Sequence, residues 1–291
     1  MRNTRPCRAR QSRATGSSPK GEGLANRARV MLLVAAAMVW LVTPARGLAQ
    51  FGFPPPQPPV NPRAIAPLDL AGYWVSLVTE DWRFRMITPA KGDYASVPLN
   101  SEGKRVADTW DPAKDEASGD QCKSYGAAAI MRVPTRLHIS WGNDTTLRVE
   151  TDAGTQTRLF HFGVSPPAES APQWQGYSMA EWNGLRKNGF LNLSAFGSAP
   201  GAARPAPEGY LKVVTTRMRP GYLRKNGVPY SANANLEEDF DSFKSPNGDQ
   251  WLVVTTVVTD PQFLTQPFIT STHFKKLPDA SGWNPTPCEA K

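Results

Sequence analysis

QCKSYGAAAIMRVPTRLHISWGNDTTLRVETDAGTQTRLFHF, residues 121–162, holds three strand-like runs in a row. Thr135–Trp141 stops at Gly142-Asn143-Asp144, Thr146–Thr151 stops at Asp152-Ala153-Gly154, and Thr155–Phe162 follows. Apolar and polar residues alternate within each run, and the Gly, Asn and Asp links supply turn chemistry. The pattern predicts an antiparallel meander. Cys122 stands just upstream, and His138 and His161 lie inside.

Working outward, the same alternation recurs. Asp69–Ser76 carries Gly72 and Trp74 in a G-x-W arrangement, and Trp174–Trp182, Tyr210–Met218, Ala234–Phe243, Gln250–Thr259 and Pro267–Lys276 all read as strands. Pro220–Tyr230 has turn chemistry at Asn226-Gly227. Glu80–Ile87, EDWRFRMI, also alternates; as a strand it would set Trp82, Phe84 and Met86 on one face and Asp81, Arg83, Arg85 and Ile87 on the other. Only Asn100-Ser101-Glu102 opens a convincing helix, which Asp111-Pro112 stops. Residues 190–208, rich in Gly, Ala, Pro and Ser, read as a long excursion. Short strands without β–α alternation predict one mainly-β domain over residues 68–291: an antiparallel barrel or strongly curved sandwich with one short helix.

Two segments precede that domain. Residues 1–49 combine arginines with an apolar run, Val30–Val42, and a small-x-small site at Gly47-Leu48-Ala49. They are expected to be a secretory signal peptide, since the apolar run falls short of the ~20 residues that span a bilayer. Residues 50–67 are Pro-rich and read as an extended tether. The formal net charge of +8 belongs to the leader. Residues 1–49 take nine of the 33 basic and one of the 25 acidic residues, leaving 24 of each. A near-neutral mature chain without a basic, aromatic-interleaved patch excludes the nucleic-acid class. The expectation is a periplasmic or secreted monomer, not an integral membrane protein once the leader is removed.

Cys7 leaves with the leader, so Cys122 and Cys288 remain. An even pair in an oxidising compartment predicts a disulfide that ties the C-terminal tail to the entry of the meander.

Several of these pieces, taken together, resemble a widespread group of secreted bacterial proteins of uncharacterised function. They are Trp110-Asp111-Pro112, Gln121-Cys122, Gly126, Ile130-Met131 and Pro134, then Arg158 with His161-Phe162-Gly163, then Trp174–Ser178 with Glu181-Trp182. Arg224–Ser231, Asp260-Pro261, Leu264–Pro267 and Cys288 continue the match. The resemblance implies a lipocalin-like β-barrel and no established reaction. The chain departs from the group where Asn183–Gly209 intervene before the next strand.

Chemistry-bearing residues are sparse. The three histidines, His138, His161 and His273, show no metal-ligand spacing, and no cofactor or metal is expected. Gly176-Tyr177-Ser178-Met179-Ala180 lacks the final glycine of a nucleophile elbow and its strand–turn–helix setting. Glu237-Glu238-Asp239 reads as a solvated strand edge. The leading expectation is a barrel whose cavity binds a small, partly apolar ligand, with Trp82, Arg83, Arg85, Arg158 and Tyr222 at its wall. Two alternatives stand beside it. One is an enzyme in the same cavity with His161, Tyr222 and Arg224 as acid/base and anion-holding groups. The other is an envelope interaction module.

Overall fold

The structure is a computed structural model that describes residues 60–167, 171–184 and 209–291. The expected signal peptide, most of the tether and the 190–208 excursion lie outside the described residues.

The meander forms as read: β2 (Arg136–Asn143), β3 (Thr146–Thr151) and β4 (Gln156–Phe162) pair antiparallel in sequence order. Around it stand β1 (Gly72–Leu77), β5 (Tyr177–Asn183), β6 (Tyr210–Thr216), β9 (Asn235–Lys244), β10 (Gln250–Thr259) and β11 (Phe268–Leu277). These nine strands close into a barrel in the order β1-β11-β10-β9-β6-β5-β4-β3-β2. The seam between β4 and β5 is parallel and short, with Phe160–Phe162 opposite Ser178–Ala180. A separate hairpin, β7 (Gly221–Arg224) and β8 (Val228–Tyr230), stands outside the ring and turns at Asn226-Gly227.

Among the described residues, α-helix is confined to short pieces: α1 (Trp82–Arg85), α2 (Ser101–Ala107), α3 (Pro112–Ala117) and α4 (Ala127–Ile130). α2 is the helix predicted from Asn100, whose side chain accepts from the Gly103 amide at 2.7 Å. α2 ends at Ala107 with Asp108 as its C-cap, short of the Asp111-Pro112 pair expected to stop it. That pair begins α3 instead: Asp111 caps the amides of Ala113 and Lys114, and Pro112 needs no amide partner. Glu80–Ile87 is not a strand, which corrects the reading from alternation. Asp81 takes a left-handed conformation (φ 49°) and α1 follows it. Tertiary contacts fix this turn: Arg85 Nε donates to the Arg132 carbonyl at 2.8 Å, and Arg85 also pairs with Glu80. Helical spacing then puts Trp82 beside Met86 and sends Arg83 and Arg85 apart.

Alternation around the ring buries one face of every strand, and that face divides into three layers. Trp74, Phe160, Phe240 and Phe274 belong to one apolar cluster. Leu236, Val258 and Phe268 belong to a second, which the helices and the hairpin cover through Ala107, Ala127, Leu223 and Tyr230. Between the clusters runs a buried polar belt: Arg158 (β4), Ser178 (β5), Thr215 (β6), Glu238 (β9), Thr256 (β10) and Thr270 (β11), on six strands adjacent in the ring. Arg158 donates to both Glu238 oxygens, at 3.0 and 2.6 Å, and to Thr215 Oγ1 at 3.2 Å. The Thr215 and Ser178 hydroxyls lie 2.7 Å apart. Since β4 and β9 are not neighbours, the ion pair crosses the barrel interior. Glu238 is therefore buried in the lumen of a closed sheet, not at a solvated edge as its sequence suggested.

The Cys122–Cys288 disulfide is formed, with Cα atoms 5.1 Å apart across a sequence separation of 166. On the chain-entropy account such a closure constrains the unfolded chain by up to ~4–5 kcal/mol.

Breaking the buried pair leaves one charge without a partner in a dry interior. Glu238→Ala is expected to cost about 3–5 kcal/mol in urea unfolding, and Arg158→Met/Glu238→Leu together distinctly less. Equal losses for the single and the double variant would show that the ion pair is not what carries the cost.

Candidate functional site

The lumen is occupied by its own side chains, so the candidate site lies at the barrel end that α1–α4 and the β7–β8 hairpin cap. Of the residues expected to line an inner pocket, Arg158 alone is inside, tied to Glu238. Tyr222, on β7, donates its hydroxyl to Asp115 Oδ2 at 2.8 Å, and Lys123 Nζ holds the other oxygen of that carboxylate at 2.6 Å. Trp82 is exposed on α1. Clefts of about 320 and 350 Å³ open among outer and end residues, one beside Arg136, Asp152 and Asn284, the other beside Asp69, Phe243 and Lys276.

The cap gathers four arginines: Arg83 and Arg85 from the Glu80–Ile87 run, Arg224 from the hairpin, and Arg132, which no motif had marked. Arg83 pairs with Asp93 and Arg85 with Glu80, while Arg132 Nη2 reaches Asp81 Oδ2 at 3.1 Å. Arg85 also donates to Ser76 Oγ at 3.1 Å. Arg224, at the end of β7, stacks its guanidinium on Phe84 of α1 at 4.0 Å and donates Nη1 to the Ala95 carbonyl at 2.6 Å. The hairpin turn is anchored next to it: Asn226 Nδ2 donates to the carbonyls of Ala90 and Asp93, at 3.1 and 3.0 Å. Gly227, at φ 82°, lets the turn lie directly against Trp110, where any Cβ would collide.

Burial dominates the electrostatics here. It lowers the Arg224 guanidinium to about 10, and the charge of Arg132 adds to that, with Asp81 and Asp93 opposing. Burial also lowers Arg85, with Glu80 opposing. Nε and Nη2 of Arg224 and Nη1 of Arg132 are buried without a hydrogen-bond partner. The segment whose Phe84 stacks on Arg224 also exposes Trp82, at the start of α1, with Met86 and Ile87 just after the helix. Exposed apolar surface thus adjoins a cationic floor.

The three candidates for catalysis are held in different settings. His161 stacks on Tyr177 on the outer wall, its centroid 4.7 Å away, and burial lowers its pKa. Tyr222 is engaged by Asp115 and Arg224 by Phe84 and Ala95. No hydrogen bond, ion pair or ring contact joins the three among the described residues. His138 stacks on Tyr73 at 4.4 Å and pairs with Glu150, four residues along β3 from Thr146, the partner of His161. At about 3.3 Å per residue, their backbone positions are offset by ~13 Å along the strand direction. Ser178 is in the buried belt, bonded to Thr215.

No family model, curated protein or solved structure matches the chain.

What sequence reasoning missed at this end is Arg132 beside Arg224, with Asp81 paired to Arg132. A single signal was present: Arg132 follows the all-buried run Ala127–Met131, where a solvated arginine is out of place.

A half-buried phenol, Tyr222, and a fully buried one, Tyr230, give this end an alkaline signature. Burial raises Tyr222, helped by Asp115, and raises Tyr230, whose hydroxyl has no partner. In the unfolded chain both ionise near 10, in the folded chain only at higher pH, so the unfolded state loses protons first. Stability is expected to be level below pH ~10 and to fall as pH rises beyond it. Tyr230→Phe should make that fall shallower while leaving neutral-pH stability equal or about 1 kcal/mol higher, since it removes an orphan hydroxyl. Urea midpoints at pH 8 and pH 11 check both statements.

Proposed function

We propose that the chain is an exported, periplasmic or secreted, lipocalin-like protein that binds a small, partly apolar ligand at the capped end of its barrel. One observation carries the reading: Trp82, Met86 and Ile87 stand exposed on the segment whose Phe84 stacks on Arg224, a buried arginine whose donors are not all used. An apolar surface beside a few convergent polar groups is the ordinary make-up of a small-molecule site.

Export rests on the disulfide between Cys122 and Cys288, a bond that persists in oxidising compartments. The outer wall supports an aqueous setting. It carries the ion pairs Lys212–Glu237 at 2.8 Å and Arg148–Glu150 at 2.7 Å, with Asp239 and Asp241 on the same outward face of β9. A lipid-facing barrel wall presents an apolar band instead. Among the described residues no helix is long and apolar enough to cross a membrane.

Native mass spectrometry of protein taken from the periplasm of its own host is expected to find a bound small organic molecule. Trp82→Ala/Ile87→Ser is expected to lose it without changing the fold by circular dichroism. A wild-type protein that carries no adduct and takes up none from a host metabolite extract would end this reading.

A further inference from the structure

The charge balance of the cap is incomplete. Arg83 has Asp93, Arg85 has Glu80 and Arg132 has Asp81, but among the described residues Arg224 forms no ion pair. Yet Arg224 is only 3 % and Arg132 only 6 % exposed. A guanidinium removed from water without a counter-charge is strongly unfavourable, and natural proteins pair such groups. Arg224 has one protein acceptor, a neutral carbonyl.

The unused donors have a usable geometry. Phe84 covers the face of the Arg224 guanidinium, and Ala95 takes Nη1. What is left is the Nε–Nη2 edge, both of whose donors are unpartnered. That edge is the planar fork that grips an oxyanion with two parallel hydrogen bonds. Nη1 of Arg132 is a further free donor, and the charge of Arg132 acts directly on Arg224.

Asp81 marks the way in. Its carboxylate is 37 % exposed while the Arg132 side chain it touches is 6 % exposed. It stands at the N-terminus of α1 in a left-handed conformation and makes no side-chain cap there. Its role in the free protein is to neutralise Arg132 from the solvent side.

We infer that the capped end binds the oxyanion of its ligand, a carboxylate or a phosphate monoester, on the Nε–Nη2 edge of Arg224 and Nη1 of Arg132, in exchange for the Asp81 carboxylate. The apolar part of the ligand then rests on Trp82, Met86 and Ile87. This inference rests on the reading that the capped end takes a small, partly apolar ligand, and names the chemistry that end selects.

Isothermal titration calorimetry with decanoate, decyl phosphate, decanol and inorganic phosphate tests it, on the wild type, Arg224→Met and Asp81→Asn. Asparagine keeps the tolerance for positive φ while removing the charge. The two charged decyl compounds are expected to bind wild type at least about tenfold tighter than decanol, the scale of one hydrogen bond to a charged group. R224M should erase that preference, and D81N should tighten both charged compounds several-fold and leave decanol unchanged. If R224M does not fold, Arg132→Gln takes its place and should show the same loss. Decanol binding as tightly as decanoate and decyl phosphate would overturn the inference and leave the ligand-binding reading standing. Arg224-dependent binding of inorganic phosphate, with no gain from the decyl chain, would keep the oxyanion site and overturn the partly apolar ligand. Binding of none of the four would overturn both. Tightening by D81N is the discriminating result, because a purely structural Asp81 would only weaken the protein when neutralised.

Discussion

The ion pair of Arg158 and Glu238 constrains more of this structure than any other contact. It runs across the lumen between strands that are not neighbours, with both side chains fully buried. A shift of either strand by one residue would turn its charge outward and leave the other charge alone inside, so register on both sides of the barrel is locked together. The belt it anchors also separates two apolar clusters. A lumen blocked by a charged layer and filled on both sides by aromatic and aliphatic side chains leaves the ends and the outer wall for recognition.

The meander and the long strands β9–β11 were legible because period-two alternation is a direct consequence of one buried face. The same rule contained the belt, although charge concealed it. Glu238 has the parity of Leu236 and Phe240; Arg158 has the parity of Phe160 and Phe162; Thr256 has that of Val254 and Val258. Parity outranks polarity in a barrel, because a partner across the lumen can satisfy what local sequence leaves bare. EDWRFRMI failed for the opposite reason. It alternates well, but its conformation is set by contacts with residues far away, Arg132 above all, and by one left-handed aspartate. No local periodicity encodes those. The disulfide was legible from counting alone, while the arginine cluster was not, since its members come from residues 83, 85, 132 and 224 and meet only through the fold.

The cap illustrates how a small amount of helix does its work. None of α1, α3 and α4 exceeds six residues, and none would persist in isolation. They hold because the second apolar cluster, the hairpin and the arginine contacts each pin one of them. The outermost, α1, is pinned by polar contacts and by the stacking of Phe84 on Arg224. The segment that bears the exposed Trp82 and Met86 is thus held by charge more than by packing.

The parallel seam has a topological cause. Going round a closed ring, strand direction can alternate without fault only if the number of strands is even. Nine is odd, so one pair of neighbours must run the same way. Here that fault falls between β4 and β5, with eight other seams antiparallel and this one the shortest in register. A like-directed neighbour cannot follow by a tight turn, so β5 begins only at Tyr177, well after β4 ends at Phe162. Arithmetic, and not any local preference of the sequence, thus decides that this wall has a weak stave, and the belt residues Arg158 and Ser178 flank it from within.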